Sequence, residues 1–589
     1  MPTFYPLAPA LRQLLRVAAL VLALPRPAPA DHNFLPSPGL RRPIALVPSN
    51  DGNWLFVANR DRGSISVIDL AARRAACEVR VGTRLADLAL APCGTRLLAV
   101  DEGAHELVVI DATPLNPVVL ERLKLSPYPV SILVDRARQS ATIASLWSRR
   151  LTFLSLQPTI RIEKVLDLPF APRVQTPLIQ PSRLLVADAF AGRLALIDPA
   201  TQSLDVLREV PGHNIRGLSQ STSGQMLVFS HQMLNDLAHS IRNDIHWGLL
   251  MSNDLRWLKV DSLMAGGDQL FRGGHMHPLG ESGRGGGDPG NLDMTSDGTV
   301  IVAVSGVNEV AIGQENDFAM HRLKVGRRPT AVKFSADGQL AFVANTFDDS
   351  VSVIDVPKRN VQDPISLAAP TQLSLAERGE LLFYDARLSH DGWMSCHSCH
   401  TDGHTNGHMN DNFSDRSFGA AKRVLSLLGV KDTLPLAWTG QVQTLERQIH
   451  NSVENTMQRE DTLSQADVAA LAAYLQTLEL PPSLPELRQS VDQAAIDRGR
   501  QVFATRDCTS CHAPPAYTSP AAYDVGISDA HGLKEFNPPS LRGLSHRTSF
   551  FHDNRSRSLP DVFEIHQHPN KSLYSEGEIS DLVAFLNTL

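Results

Sequence analysis

Two short clusters of cysteine and histidine carry the clearest chemistry in the sequence. Each has the spacing C-x-x-C-H, and together they use four of the six cysteines in the 589-residue chain. Two thiols at this spacing can each form a thioether bond to a vinyl group of one haem, and the adjacent histidine can then reach the iron. The sequence therefore predicts two covalently bound c-type haems, attached and ligated by Cys396, Cys399 and His400, and by Cys508, Cys511 and His512.

A zinc site is the main alternative for paired cysteines. A zinc ribbon brings two C-x-x-C units within about 15–20 residues of each other, whereas these two motifs lie more than a hundred residues apart. Each motif also has its own histidine and its own helical pattern upstream. The spacing therefore favours two haems over one zinc ion.

Composition limits the class of protein. A chain of 589 residues exceeds the roughly 100–200 residues of a typical domain, so several domains are expected. Apolar residues make up 43% and charged residues 20%, which excludes a disordered chain, a collagen and a polytopic membrane protein. The net charge is −7 and there is no long basic run, which argues against a nucleic-acid partner.

Residues 1–30 have the pattern of a secretory signal peptide. Arg12 and Arg16 precede the apolar stretch 17–24, and Ala28-Pro29-Ala30 supplies an A-x-A cleavage site. A membrane anchor is the alternative, but the apolar stretch is far shorter than the ~20 residues that a spanning helix needs. We therefore expect cleavage near Ala30, export to the periplasm, and no integral membrane segment.

Residues 31–360 contain a repeat. Two near-copies, 42–69 and 328–355, share Phe-Val-Ala-Asn and Val-Ile-Asp elements, and weaker copies lie between them. Alternating short strands that recur every 40–45 residues are typical of propeller blades. Both elements resemble the YVTN-type β-propeller family, and seven blades are predicted to begin near residues 43, 84, 127, 170, 214, 290 and 329.

One long gap follows the predicted fifth blade. The stretch at about 231–291 is rich in glycine and holds five histidines: His231, His239, His246, His275 and His277. A metal-binding or haem-edge loop is one interpretation. Because the histidines lack a regular ligand spacing, a loop that caps the propeller channel or packs on the next domain is favoured.

The periodicity changes after residue 360. Residues 361–372 form a predicted linker, and helical patterns follow in two predicted cytochrome c lobes, 373–485 and 486–589. The order of elements resembles the di-haem cytochrome c peroxidases and their MauG-type relatives: a Gly379-Glu380-Leu381-Leu382-Phe383 segment before the first haem, Asn537-Pro538-Pro539-Ser540-Leu541-Arg542-Gly543, and Phe551-His552-Asp553. The predicted fold class is an all-β seven-bladed propeller followed by a mainly α di-haem region.

The resemblance implies roles for three further residues. Trp438 matches the family tryptophan between the haems, Gln448 the distal-pocket glutamine, and Glu454 the distal acid. The first haem would then be peroxidatic, because a carboxyl beside an open iron face can move a proton between the two oxygens of peroxide. The second haem would relay electrons.

Two departures from the family pattern bear on cofactors and ligands. Arg423 stands where classical members have an asparagine that helps to bind calcium, which disfavours that ion. Phe551 replaces the usual axial methionine of the second haem, so another ligand is expected from four nearby histidines, unless that iron is five-coordinate: His531, His552, His566 and His568.

The predicted function is a periplasmic di-haem oxidoreductase that reacts with hydrogen peroxide. Its electrons would come from a small cytochrome c or cupredoxin, as in a peroxidase, or from a protein substrate docked on the propeller, as in a MauG-like oxidase. The alternative is a non-catalytic electron-transfer protein that uses the propeller for docking, which predicts two six-coordinate haems and no reaction with peroxide.

Overall fold

A computed structural model describes residues 39–589. The predicted signal peptide, 1–30, lies outside the described residues and stays a prediction. Among residues 39–589, no helix combines the length and the apolar character that crossing a membrane requires.

Residues 43–366 form a seven-bladed β-propeller in which each blade is an antiparallel sheet. From the inner to the outer edge, the strands of blades 1 to 3 are Pro43–Pro48, Trp54–Asn59, Ser64–Asp69 and Arg74–Arg80; Leu85–Leu90, Arg96–Asp101, Glu106–Asp111 and Val118–Lys124; and Pro129–Asp135, Ser140–Ser145, Arg150–Ser155 and Arg161–Asp167. Those of blades 4 and 5 are Pro172–Leu178, Arg183–Asp188, Arg193–Asp198 and Ser203–Glu209; and His213–Gln220, Met226–Leu234, Met251–Lys259 and His275–Pro278. Those of blades 6 and 7 are Pro289–Met294, Val300–Val304, Glu309–Gly313 and His321–Lys324; and Pro329–Phe334, Leu340–Asn345, Ser350–Asp355 and Asn360–Val361, with Ile365–Ser366 also pairing with the third strand.

The sequence elements that blades 1 and 7 share form the same hydrogen-bond network in both blades. In blade 1 the buried Asn59 amide donates to the hydroxyls of Ser64 and Ser66, at 3.0 and 2.8 Å. In blade 7 Asn345 makes the equivalent bonds to Ser350 and Ser352, at 3.0 and 2.9 Å. A buried amide must find partners, so the asparagine and the serines of the next strand are needed together.

The ring closes by packing blade 7 against blade 1. Leu55 and Val57 of blade 1 share one buried cluster with Phe342 and Ala344 of blade 7. The inner strands begin within two residues of the predicted blade starts. The prediction of seven blades is therefore confirmed.

The histidine-rich stretch 231–291 is part of blade 5 as well as a long connection. It supplies the third and fourth strands of that blade, together with short helices at Arg242–His246 and Val260–Ala265 and a 3-10 turn at Gly267–Gln269. Four of its glycines approach Ala386, Gly392 or Trp393 of the C-terminal region so closely that a Cβ would clash: Gly248, Gly280, Gly285 and Gly287. The stretch therefore packs on the next domain.

The C-terminal region is mainly helical. Its helices are Leu375–Phe383, Cys396–Cys399, Leu445–His450 with the π-helical turn Asn451–Thr456, Gln465–Leu475, Leu484–Arg488, Gln493–Thr505, Leu559–Glu564 and Glu576–Leu586. Short 3-10 turns lie at Ala386–Leu388, His390–Gly392, Thr401–Gly403, Phe413–Asp415, Val430–Asp432, Cys508–Ser510 and Leu544–His546. Two-residue strands pair Met409–Asn410 with Lys422–Arg423, and Tyr523–Asp524 with Glu535–Phe536.

One packing device occurs in both lobes. In the first, Leu375–Phe383 crosses Gln465–Leu475 at Gly379, where a Cβ would lie 1.9 Å from the Ala470 carbonyl oxygen. In the second, Gln493–Thr505 crosses Glu576–Leu586 at Gly499, where a Cβ would lie 1.9 Å from the Asp581 carbonyl oxygen. Only glycine allows these close backbone contacts. In both lobes the C-x-x-C-H motif lies in the chain between the two helices that cross, soon after the first of them.

Candidate haem centres

The two C-x-x-C-H motifs fold into the same backbone loop. The His400 amide donates to the Cys396 carbonyl and the His512 amide donates to the Cys508 carbonyl, both at 2.9 Å. This turn brings the histidine over the first cysteine of its motif. Each loop therefore presents two thiols and one imidazole from a single short segment, as covalent attachment of a haem requires.

Both axial histidines are held for iron binding. The Nδ1 atom of His400 lies 2.8 Å from the Leu425 carbonyl oxygen, and that of His512 lies 3.1 Å from the Tyr517 carbonyl oxygen. Because a carbonyl only accepts, Nδ1 must donate, which leaves Nε2 with its lone pair for a metal. Burial lowers the pKa of each imidazole to about 4, so both are neutral at pH 7. These residues fit two haem irons.

The propeller holds the first motif. Both oxygens of the Asp288 carboxylate, at the entry to blade 6, accept hydrogen bonds from the motif region: Ser395 at 2.5 Å and Ser398 at 2.6 Å. His213 Nε2, at the start of blade 5, lies 2.8 Å from the Ser398 carbonyl oxygen. All four side chains are buried, so the propeller fixes the loop that attaches the first haem.

The second motif is held only by its own lobe. The Ser510 hydroxyl donates to the Asp507 carbonyl oxygen at 2.8 Å, and Tyr523 donates to the Ser510 carbonyl oxygen at 3.3 Å. Ser510 is exposed. Within residues 39–589, no hydrogen bond joins residues 508–512 to the propeller.

The segment with the proposed distal residues belongs to the apolar cluster against which the first motif packs. Ile449 and Val453 are buried in the same apolar cluster as Cys396 and Cys399. This segment is the helix Leu445–His450 and the π-helical turn that follows it. The sequence-predicted Gln448 and Glu454 therefore lie on an element that borders the first haem motif.

Glu454 has a partner that sequence reasoning missed. Its carboxylate oxygen lies 3.4 Å from Nδ1 of His450, one helical turn earlier. The Glu454 side chain is 38% exposed and that of His450 is 19% exposed. The i, i+4 spacing of a histidine and a glutamate is the signal that could have identified the pair. Gln448 instead donates to the Ser452 hydroxyl at 3.1 Å.

Trp438 lies at the junction of the two lobes. Its indole N–H donates to the Arg423 carbonyl oxygen in the first lobe at 2.9 Å, and its own carbonyl accepts from the Asn537 amide in the second at 2.8 Å. Its ring stands edge-on to His552, 6.2 Å between centroids. This buried indole therefore contacts both lobes.

Arg423 joins the same interface. Its amide donates to the His552 carbonyl oxygen at 2.6 Å, and its guanidinium Nε donates to the Phe551 carbonyl oxygen at 3.0 Å. The guanidinium also lies 5.4 Å from the Trp438 ring. A fixed positive charge thus occupies the position at which the family resemblance implies a calcium ligand.

The four histidines considered as ligands of the second haem differ in whether their ring nitrogens already have hydrogen-bond partners. The Nε2 atoms of His531 and His566 form hydrogen bonds to the carbonyl oxygens of Phe418 and Arg555, at 2.8 and 3.1 Å respectively. His552 is buried and stacks on Phe536, and among residues 39–589 neither of its ring nitrogens has a hydrogen-bond partner, although Nε2 lies 3.8 Å from the Asp553 carboxylate. His568 has a buried Nδ1 atom without a partner, and its ring lies 5.6 Å from that of Phe551. Burial and the neighbouring His512 lower the pKa of His568 to about 4.

Histidines of the stretch 231–291 also meet the first lobe. His246 Nδ1 lies 2.7 Å from the Asp391 carboxylate, and His390 Nε2 lies 3.4 Å from the same oxygen. The ligand atoms of these three residues lie within 4.8 Å of one another.

Both remaining thiols, Cys77 and Cys93, are unpaired in the described part of the chain, which includes all six cysteines.

Comparisons with known proteins agree with this geometry. The family described as di-haem cytochrome c peroxidase matches residues 374–493, and the family described as cytochrome c matches residues 496–589. The chain carries a di-haem cytochrome c peroxidase domain. This MauG-like domain and the cytochrome c domain follow the propeller, and together they support a di-haem oxidoreductase.

Two curated relatives align with the same region. Methylamine utilization protein MauG of Methylophilus methylotrophus is 27% identical over 291 residues, which is 39% of this chain and 87% of that protein. Cytochrome c551 peroxidase of Nitrosomonas europaea is 23% identical over 290 residues, 38% of this chain and 83% of that protein. A solved structure, Kuenenia stuttgartiensis hydrazine synthase, covers 55% of this chain and 98% of that chain at 18% identity and a TM-score of 0.47.

Proposed function

We propose that the protein is a periplasmic di-haem oxidoreductase that reduces hydrogen peroxide at its first haem and receives electrons through its second. The single observation that carries the proposal is the position of Glu454. It lies on the segment whose buried residues belong to the same apolar cluster as Cys396 and Cys399, and it reaches solvent beside His450. The periplasmic location rests on the pattern of residues 1–30.

Reduction of peroxide needs two electrons and two protons and yields two molecules of water. The first haem would supply an iron on which peroxide binds and accepts electrons. Glu454 would take the proton from the inner oxygen and return it to the outer one, which makes water the leaving group. His450 would exchange protons between Glu454 and solvent, since both side chains are partly exposed.

The electrons would enter through the second lobe. Its motif is more exposed than the first, and in the same lobe the apolar side chains of Ile565 and Leu573 are exposed to solvent, by 67% and 72%. Trp438 would carry electrons between the lobes, because its indole contacts both. The donor would be a small cytochrome c, a cupredoxin or a protein substrate.

The test is a titration of the purified protein, with both haems bound, with hydrogen peroxide. The absorbance of the first haem measures the rate of the reaction. Replacing Glu454 with glutamine keeps the shape of the side chain and removes the titrating group. We expect Glu454→Gln to slow the reaction by roughly 100-fold or more. Glu446→Gln is the matched control, because Glu446 lies on the same helix and is exposed; its rate should be unchanged.

Two results would contradict the proposal. An unchanged rate in Glu454→Gln removes that carboxyl from proton transfer. No reaction with peroxide in either the oxidised or the half-reduced wild-type protein would mean a non-catalytic electron carrier, the alternative that the sequence left open.

We also propose His568 as the sixth ligand of the second haem, in place of the family methionine. The support is its unpartnered, buried Nδ1 atom and its position beside His512 and Phe551. His568→Ala should change the low-spin electron paramagnetic resonance signal of the second haem, and His566→Ala should leave it unchanged because His566 already bonds Arg555. An unaltered signal in His568→Ala would contradict this assignment.

A further inference from the structure

The axis of the propeller is a channel that leads to the first haem motif. The inner strands of all seven blades line a cavity of about 1410 Å³. At the end where these strands begin, the first lobe contributes to the lining with Tyr384, His397, Asp402 and Tyr474. His397 is the residue directly after Cys396, so the channel ends one residue from a haem attachment point.

This end of the channel, called the haem-side end below, is rich in arginine. Six guanidinium groups line it: Arg42, Arg60, Arg84, Arg173, Arg216 and Arg328. Five of them share three carboxylates: Arg42 pairs with Glu380, Arg60 and Arg84 with Glu102, and Arg173 and Arg216 with Asp402. Asp288, the fourth carboxylate here, is bound to Ser395 and Ser398. Glu479 of the first lobe also lines the cavity, but it is 80% exposed and pairs with Lys431.

Among residues 39–589, Arg328 is the one of these six arginines that forms no ion pair; the carboxylates of Asp288 and Asp402 attract it from a greater distance. Its guanidinium lies 3.4 Å from the centroid of the Tyr384 ring and 5.4 Å from that of Phe347. Its Nη1 atom is buried and, among residues 39–589, has no hydrogen-bond partner. A buried cationic donor without a partner is costly, so the geometry calls for an acceptor in the channel at this point.

The opposite end of the channel has no such excess of positively charged side chains. There Lys333 pairs with Asp293 at 2.9 Å, and Arg136 is exposed to solvent. At the haem-side end six arginines face four carboxylates, and a surplus of positive charge in a low-dielectric cleft attracts anions. The potential in the channel should therefore draw an anion towards the first lobe.

We propose that the haem-side end of the channel binds a small organic carboxylate at Arg328, with Arg216 beside it. A planar guanidinium fork matches the two oxygens of a carboxylate. The rings of Tyr384 and Phe347 provide apolar surface for the organic part of the ligand. The bound molecule would be separated from Cys396 only by Tyr384 and His397, whose rings lie 4.8 Å apart. This site goes beyond the proposed reaction with peroxide and does not depend on it.

The experiment is calorimetric titration of the resting protein, with both haems bound and no peroxide, using benzoate as the probe. Benzamide, which has the same ring and no charge, is the control ligand. We expect saturable binding of benzoate, and at least tenfold weaker binding of benzamide, since one charge-assisted hydrogen bond is worth a factor of this size. This comparison needs no variant and so does not depend on how a variant folds.

Variants then locate the site. Arg328→Gln should weaken benzoate binding at least tenfold, Arg328→Lys should weaken it less, and Arg136→Gln at the opposite end should leave it unchanged. Equal affinity for benzoate and benzamide, or affinity unaffected by Arg328→Gln, would overturn the proposal. So would the absence of saturable benzoate binding, which is the result expected if a haem propionate already occupies Arg328.

Discussion

The two haem motifs share one backbone loop and differ in what surrounds it. In both, the histidine amide donates to the carbonyl of the first cysteine, and a backbone carbonyl holds the imidazole Nδ1. Around the first motif, Asp288 and His213 of the propeller bind Ser398 from two blades. Around the second, Ser510 is exposed and bonds only within its lobe. The difference shows that the propeller is a scaffold for one haem and leaves the other accessible.

This contrast supports the complementary tasks that we propose for the two lobes. A buried, rigidly held centre excludes water and keeps reacting groups in place. A centre near the surface can exchange electrons with a docked protein. The lobes themselves are built alike, so the asymmetry comes from the propeller rather than from the haem motifs.

The largest expected effect tests what the lobes have in common. Gly379→Ala and Gly499→Ala each place a Cβ 1.9 Å from a backbone oxygen of the crossing helix. Each should lower the free energy of unfolding of its lobe by about 3 kcal/mol, the upper range for overpacking. Thermal unfolding followed at each haem would measure this. Gly577→Ala is the control, because nothing lies within 4 Å of its added Cβ. A neutral Gly499→Ala would show that the lobes are not built alike.

The next effect tests what differs between the motifs. Ser398→Ala removes the hydroxyl that donates to Asp288 and accepts from the Ser395 amide and from Gln232. Buried polar groups left without partners should cost about 2 kcal/mol of unfolding free energy. Ser510→Ala, at the same position of the second motif, should change stability by less than about 0.5 kcal/mol, because Ser510 is exposed. Chemical unfolding of both variants would compare them, and equal losses would contradict the scaffold role.

The smallest effect concerns pH. Burial, with His408 nearby, holds the pKa of His213 well below its ordinary value. Below about pH 6.5 the unfolded chain therefore binds a proton that the folded protein does not, and stability is lost as the pH falls, by at most about 1.4 kcal/mol per pH unit. His213→Gln keeps an N–H donor for Ser398 and does not titrate, so its unfolding midpoint should fall less between pH 7 and pH 5. Parallel pH profiles would exclude His213 from this dependence.

Much of the propeller could be predicted because its determinants are local and repeated. Asn59 and Asn345 recur with their serines at one spacing. Weaker copies of the same strand pattern between them predicted the number of blades and their starts. Blade 5 was the exception. Its third and fourth strands, Met251–Lys259 and His275–Pro278, lie among glycines and histidines that hide the strand pattern, because they also pack against the first lobe.

The residues of the haem sites also differ in whether the sequence alone predicts them. The attachment residues and axial histidines were evident because all the atoms they need lie within five consecutive residues. The partner of Glu454 lies one helical turn away, and the candidate ligand His568 lies far along the chain from His512. The i, i+4 spacing could have identified the first pair from the sequence, whereas the second pair could be found only in the folded chain.

The sequence by itself determined the seven blades, the two C-x-x-C-H motifs and the family of the region that holds them. These are set by short-range spacing, which survives in the unfolded chain. Only the tertiary structure decided that Asp288 binds one motif and not the other, and that Trp438 contacts both lobes. It also decided that Nη1 of Arg328 is buried at the channel without a hydrogen-bond partner among residues 39–589. Those features depend on which surfaces of the propeller and the lobes come together, because burial and pairing of charges exist only once the chain has folded.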